Sequence, residues 1–325
     1  MEKNKKTLNY VIACLTSLKT VVIIGLLIFY MIKVLNANQY DDDGELVKLD
    51  SSQKGLVYFA FISMIIAITF FAIAFVIYFI FDYENKIKLF CFSIVTFSIE
   101  GIICSSIMIK KSIFYFNKNS FKVFKNWRIL DITLIGLLLG LYLLIDFISG
   151  FVPTLPFWIT ISLKYIILYF GAYILPISCT FTLCMLAAFM TILIPTTAAH
   201  TFIQYLFDYW IPTLCFFVAG FFKPNETIKN IYYQVFSWFI FVISPIFILY
   251  FCRVLSGVLY WLNPNAIGDD VFYSFVWNGR WSYSVIYNSF NTITDYVTLQ
   301  ILVPPICKSL SILRKRYFDN REIYY

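Results

Sequence analysis

The sequence predicts an all-α polytopic membrane protein. Hydrophobic residues make up 61% of the 325 positions and charged residues only 13%, against roughly 45 to 50% and 25% in soluble domains. Apolar runs of spanning length recur along the chain, and the Lys and Arg residues cluster between these runs and at the C-terminus. A backbone in hydrocarbon must satisfy its own polar groups, which favours helices. We therefore expect a multi-pass helical protein of the cell membrane, in contact with the lipid bilayer.

Nine apolar segments predict about nine transmembrane helices. The first segment is long enough to span and lacks a small-residue cleavage site after a short core, so we expect it to stay in place as a helix. A basic segment, residues 110–128, separates the third run from the fourth and is the best candidate for a domain boundary. The segments lie near 10–34, 57–81, 89–109, 129–149, 158–176, 179–196, 200–221, 232–258 and 281–307.

Charge counting places the basic segment 110–128 and the basic tail in the cytoplasm, with six spans between them. The N-terminal lysines Lys3, Lys5 and Lys6 also favour the cytoplasm, yet three spans would carry the chain to the outside before residue 110. Either one early apolar segment is re-entrant or split, or the N-terminus is outside.

Composition also excludes several kinds of chemistry. The eight cysteines lie in or at the edge of apolar segments, without the paired spacing of a zinc site. A single histidine, His200, leaves little for acid/base catalysis, and no GxxxxGK[ST] loop is present for ATP. The net charge of +7 comes from the basic segments between spans. We expect no metal, no cofactor, no nucleic acid and no catalytic residue: the protein is not an enzyme.

Polar and aromatic side chains recur in residues 253–308, inside segments that otherwise read as membrane. An ionisable group in hydrocarbon costs ~2.5 to 3.5 kcal/mol and marks a site or a cavity. Arg253, Gly257 and Trp261 share one helix face, with Arg253 facing inward as a partner for Asp208, or else snorkelling to headgroups. The glycine would let a neighbouring backbone or a ligand ring come close. Farther along, Tyr283, Tyr287, Asn291 and Asp295 make a polar stripe.

A second stripe is formed by His200, Gln204 and Asp208, spaced by four residues on a predicted helix. It faces either a ligand or another helix through hydrogen bonds, which are common in membranes. The side chain of Lys164 reaches either the membrane–water interface or the ligand pocket that these polar residues would line.

Several ordered pieces resemble the thiamine-specific S-components (the ThiT or YuaJ type) of energy-coupling-factor vitamin transporters. The resemblance covers residues 126–318. Its pieces are Arg128 with Gly136 and Gly140, the loop PTLPFW at 153–158, QYLFDY at 204–209, RVLSGVLYW at 253–261 and YSVIYN at 283–288. It implies a six-helix S-component-like bundle in residues 126–325, preceded by about three additional transmembrane helices in residues 1–125, an extension of unknown role.

The resemblance also implies a set of ligand contacts. Trp158 resembles the residue that covers the ligand, Asp208 the carboxylate that engages the aminopyrimidine, and Tyr209 a neighbouring hydrogen-bonding tyrosine. Trp261 would be the stacking wall, and Tyr283 and Asn288 polar contacts. The further positions considered as possible contacts are His200, Gln204, Gly257 and Tyr287.

Two positions depart from the family pattern. Arg253 stands where the family has a stacking His, and Leu249 where it has Lys one turn earlier. A guanidinium beside a cationic thiazolium is unfavourable unless a carboxylate compensates. The identity of the ligand therefore depends on the surroundings of Arg253.

Gly136 and Gly140 form a small-xxx-small pair that lets two helices approach closely. The second helix is either internal or, as the resemblance implies, belongs to the transmembrane coupling subunit.

The predicted function is a substrate-binding membrane subunit that captures thiamine or a related aromatic vitamin and delivers it with a coupling subunit and ATPase subunits. The alternatives are an S-component for riboflavin, folate or a pyrimidine precursor, and a membrane-embedded enzyme or assembly factor.

Overall fold

The computed structural model describes residues 2–36, 39–40, 46–47, 51–81, 89–90, 93–94, 98–110, 127–151, 161–194, 200–224, 228–261 and 280–309. Apart from a hairpin that pairs β1 (Gln39–Tyr40) with β2 (Leu46–Val47), the regular elements in these ranges are helices. They are α1 (Glu2–Leu35), α2 (Ser51–Phe81), α3 (Ile99–Lys110), α4 (Ile129–Ser149), α5 (Tyr165–Ile174), α6 (Ile177–Met190), α7 (Phe202–Phe222), α8 (Ile231–Trp261) and α9 (Arg280–Ser309). The expected all-α polytopic class is confirmed, and each predicted apolar segment contains one of these helices.

Five of the described helices are long and apolar enough to cross a membrane: α1, α2, α4, α7 and α8. Three predicted spans are shorter as helices, and one of these, the sixth, is α6 with 14 residues. The third, α3, has 12 residues and begins after the non-helical Ser98, so it is ~18 Å long against a hydrocarbon core of ~30 Å. The fifth, α5, has 10 residues. Within the third apolar segment residues 89–90 and 93–94 are also helical, and Ser98 interrupts the helix before α3. Which alternative raised by the charge pattern applies stays a prediction.

Aromatic rings fill the core between α4 and α9. Tyr165 stacks on Phe216 with ring centroids 4.3 Å apart, and Tyr169 meets both Phe216 and Phe241. The hydroxyl of Tyr169, fully buried, donates to the backbone carbonyl of Val242. Such a ring satisfies its polar end inside the bundle, as a buried tyrosine must.

The outward faces of the helices are apolar and suited to lipid. Leu18, Phe29, Leu137 and Leu144 are exposed, and only 11% of the apolar stretch of α1 is buried. Of the seven cysteines in the described part of the chain, Cys14 alone is classed as exposed, and five are buried.

The N-terminal helices pack directly on the later ones. Tyr78 and Phe81 of α2 contact Tyr233 of α8, while Phe71 contacts Phe239 and Phe247. Residues of α1, α2, α7 and α8 share one hydrophobic cluster. The division at residue 126 stays a prediction, but helices from the two sides of it share a packed interface.

Candidate functional site

Asp208 and Tyr209 lie on a π-helical turn, Leu206–Trp210, inside α7. The cause is in the sequence: Pro212 has no N–H to offer the carbonyl four residues earlier, and Ile211 donates instead to the carbonyl of Leu206, five residues back. A π turn widens the helix and aims side chains differently from an α turn, which is why it recurs at functional sites.

The end of α8, Gly257–Trp261, is also π-helical. Here the two widened turns meet, because the indole Nε1 of Trp261 donates to Oδ2 of Asp208 at 3.0 Å. Trp261 is 49% exposed, so part of its indole surface is accessible to a ligand while its N–H bonds the carboxylate. Beside them, Tyr209 stacks on Tyr205 at 6.2 Å.

Arg253 forms an ion pair deeper in the bundle. Its Nη2 lies 2.7 Å from Oδ2 of Asp295, whose side chain is fully buried. The prediction that Arg253 faces inward is confirmed, but the expected pairing with Asp208 is wrong. The two helices α8 and α9 lie side by side and bring Asp295 within hydrogen-bonding distance, whereas Asp208 interacts with Arg253 only at longer range.

Asp295 also receives hydrogen bonds from the residues just before α5. The backbone N–H of Ser162 donates to Oδ1 at 2.9 Å and its hydroxyl to Oδ2 at 3.4 Å. Ser162 lies two residues before Lys164, the N-cap of α5. The buried carboxylate therefore holds the turn that leads into α5, and through it joins α5 to α8 and α9.

Asn288 and Gly257 hold α8 against α9. The amide nitrogen of Asn288 donates to the carbonyls of Arg253 at 3.2 Å and Ser284 at 2.9 Å, and the Ser284 hydroxyl donates to Val254 at 2.7 Å. A Cβ on Gly257 would lie 2.1 Å from the Ser284 oxygen. Of the two roles considered for Gly257, the close approach of a neighbouring helix is the one observed.

A second buried ion pair lies between α4 and the start of α5. Nζ of Lys164 is 2.8 Å from Oδ1 of Asp146 and 5.9 Å and 5.8 Å from the ring centroids of Tyr142 and Tyr165.

The predicted stripe of His200, Gln204 and Asp208 does not form on one helix face. The helix begins at Phe202, so His200 precedes it and is exposed, and its backbone N–H donates to the Gln204 side chain at 2.8 Å. Gln204 is fully buried at this helix start. The π turn then alters the register before Asp208, a feature that apolar periodicity does not encode.

The remaining predicted contacts differ in how far the structure describes them. Trp158 lies outside the described residues, as does the side chain of Tyr283. Tyr287 is partly buried beside Asn291. Gly136 and Gly140 lie on an exposed face of α4, where an added Cβ would meet nothing within 4 Å. Internal packing, one of their two suggested roles, therefore has no support among the described residues.

Sequence reasoning missed Asp146 and the position of Asp295 in the network. Both are carboxylates inside apolar spans, which is itself the signal of a functional or paired group. Asp295 was recognised as polar, but its partners on α8 and before α5 depend on how three helices pack.

Comparisons with known proteins bear on the same residues. A family model described as thiamine transporter protein (Thia_YuaJ) matches residues 132–315. No curated protein matches the chain. Among solved structures, ThiT from Listeria monocytogenes is 17% identical, with a TM-score of 0.46 over 57% of this chain and 98% of that chain.

Proposed function

The chain belongs to the thiamine transporter protein family, and from this premise we propose that it is the substrate-binding subunit of an energy-coupling-factor transporter, with thiamine as its ligand. The observation that carries the proposal is the meeting of Asp208 and Trp261 on two π turns. A carboxylate oriented by an indole, next to the exposed indole ring, offers hydrogen bonding and stacking to one aromatic heterocycle.

The charges around this meeting point suit a monocation. Arg253 is compensated by Asp295, so the guanidinium that would oppose a cationic thiazolium is already neutralised. Lys164 is likewise paired with Asp146. The hydrogen bond described for Asp208 comes from an indole rather than a cation. The formal charges of the two ion pairs, Arg253 with Asp295 and Lys164 with Asp146, cancel, so Asp208 gives the five side chains a net formal charge of −1. Thiamine carries one permanent positive charge, so its entry leaves the group neutral, whereas a phosphate ester adds negative charge.

The proposal extends to the organisation of the chain and to its partners. Residues 126–325 would form the substrate-binding domain and residues 1–125 an extension attached to it. The substrate-binding subunit would deliver its ligand together with a transmembrane coupling subunit and ATPase subunits. The coupling subunit would dock on the exposed face of α4 that carries Gly136 and Gly140, where an added Cβ would meet nothing within 4 Å and a partner helix could approach closely.

Fluorescence titration of the purified chain tests the ligand. We expect thiamine to quench tryptophan fluorescence more strongly than its phosphates, the free pyrimidine or riboflavin. Asp208→Asn should weaken thiamine binding by about 10- to 150-fold, because a charge-assisted hydrogen bond contributes ~1.5 to 3 kcal/mol. Asp131→Asn is the control, since Asp131 caps the opposite end of α4 through the Arg128 N–H. Quenching by riboflavin alone, or by none of these compounds, would overturn the assignment.

A further inference from the structure

The N-terminal half of α9 lies between the proposed ligand site and the helices α1 and α2. Residues spaced by four on a helix share one face, and in α9 two such faces have different neighbours. Ser284 and Asn288 face α8 and bond to its backbone. On the other face lie Ser282, Ile286 and Phe290, which contact the helices α1 and α2. We call this pair of helices the N-terminal hairpin, as distinct from the small β1–β2 hairpin that connects them.

The contacts with the N-terminal hairpin are specific along that face. The hydroxyl of Tyr30 on α1 lies 2.6 Å from the Ser282 hydroxyl. Phe59 of α2 stacks on Phe290 with centroids 5.3 Å apart and an interplanar angle of 12°. Between these two contacts, Ile286 is buried in a cluster with residues of both N-terminal helices, namely Val34, Val57, Ala60 and Phe61.

These contacts act on the residues next to the site. Phe290 and Ile286 flank Asn288 in sequence, and Asn288 holds the carbonyl of Arg253. The hydrogen bonds that α9 makes to α8 tolerate little displacement, because they weaken steeply with distance and angle. Contacts on the second side of α9 oppose its sliding along α8. With lipid on that side instead, only the contacts with α8 would hold the register.

We propose that the N-terminal hairpin is a positioning element for the ligand-binding part of α9, with Tyr30 and Phe59 as its positioning residues. The inference rests on the proposed function, since the affinity it sets is that for thiamine. It gives α1 and α2 a role: they hold the register of α9 against α8 through contacts on the face of α9 that points away from α8.

The test compares two phenylalanines of α2 in the full-length protein. Phe59 is 50% exposed and packs on α9, whereas Phe70 is 44% exposed and packs on Phe236 and Phe239 of α8. We expect Phe59→Ala to raise the thiamine Kd about 3- to 30-fold, the range of coupling through packed side chains. Tyr30→Phe, which removes one hydroxyl, should raise it about 2- to 10-fold. The thiamine Kd of Phe70→Ala should stay within about twofold of the wild-type value. The Kd of Phe59→Trp, which keeps an aromatic ring at this position, should lie closer to the wild-type value than that of Phe59→Ala.

Hydrogen exchange supplies a readout that needs no ligand. In Phe59→Ala, amides of residues 282–295 should exchange faster than in the wild type and in Phe70→Ala. Equal effects of Phe59→Ala and Phe70→Ala on affinity and on exchange in α9 would overturn the inference. Failure of the wild type to bind thiamine would instead overturn the proposed function, and the exchange comparison would still decide whether the hairpin positions α9.

Discussion

At the residue scale, one carboxyl group joins three helices. Asp295 accepts from Arg253 on α8 and from the backbone and hydroxyl of Ser162 before α5. A buried ion pair adds little net stability compared with apolar residues of the same size, yet breaking it by removing one partner leaves an uncompensated charge. The pair therefore fixes the arrangement of α5, α8 and α9 and removes the charge that would oppose a cationic ligand.

Removing only the carboxylate should expose this dependence. We expect Asp295→Asn to destabilise the protein by about 3–5 kcal/mol, because Arg253 stays charged in a buried place. Thiamine binding should fall as well, since the cation then faces the ligand uncompensated. Thermal unfolding in detergent and fluorescence titration measure the two effects.

The double variant Arg253→Met with Asp295→Leu provides the control. It removes both charges, so its unfolding temperature should return toward that of the wild type. An Asp295→Asn protein as stable as the wild type would contradict the assigned ion pair.

At the element scale, α8 and α9 approach closely because Gly257 has no side chain. A Cβ there would lie 2.1 Å from the oxygen and 3.0 Å from the Cβ of Ser284. Both of these atoms belong to the facing helix, α9. Gly257 is also the first residue of the π turn that ends at Trp261. The position of Trp261 opposite Asp208 thus depends on a packing contact one turn earlier.

Gly257→Ala should therefore destabilise the protein by about 1–3 kcal/mol through overpacking, with weaker thiamine binding. Adding Ser284→Gly should recover part of the stability, because it removes the two nearest atoms that the new Cβ meets and leaves Nδ2 of Asn288 at 3.4 Å. Gly25→Ala is the matched control: nothing lies within 4 Å of a Cβ there, so it should stabilise α1 by about 0.4–1 kcal/mol. Chemical unfolding measures all three, and equal effects at the two glycines would contradict the close approach.

The sequence predicted the elements better than their details. Apolar runs located the helices because hydrocarbon imposes length and hydrophobicity on each span separately. The π turns were not predicted, although Pro212 marks the first of them, because hydropathy carries no information on a change from four-residue to five-residue hydrogen bonds. The prediction placed Arg253 inward correctly but gave it the wrong partner. Which of the two carboxylates, Asp208 or Asp295, lies next to Arg253 depends on how the helices pack, and the sequence alone does not show this.

At the scale of the whole molecule, we propose that the third apolar segment does not cross the membrane, which would remove the conflict in the charge pattern. The helices α1 and α2 are both long and apolar enough to cross and would return the chain to its starting side, whereas α3, ~18 Å long by its 12 residues, is too short to cross alone. Reporters at Lys5, Lys118 and Arg316 should all read cytoplasmic, and a reporter at Asp42 should read external. A reporter at Lys5 opposite to the one at Lys118 would show three crossings before the basic segment.

The proposed assembly with a coupling subunit also concerns the whole molecule. The N-terminal hairpin covers one face of α8 and α9, whereas Gly136 and Gly140 leave α4 open, with nothing within 4 Å of either position. Helices in lipid associate by close backbone approach over small residues. The open face of α4, with two glycines four residues apart, is the surface that we propose for the second subunit.

Replacing Gly136 and Gly140 with Leu should abolish co-purification with the coupling subunit and thiamine uptake in cells, because the added side chains hold the partner backbone away. Thiamine binding in detergent should stay at the wild-type level, since no described residue lies within 4 Å of either added Cβ. Gly25→Leu, at another open glycine on α1, should leave both assembly and uptake intact. Unchanged co-purification of the double variant would exclude this face as the docking surface, and loss of binding in detergent would show that the glycines serve the fold instead.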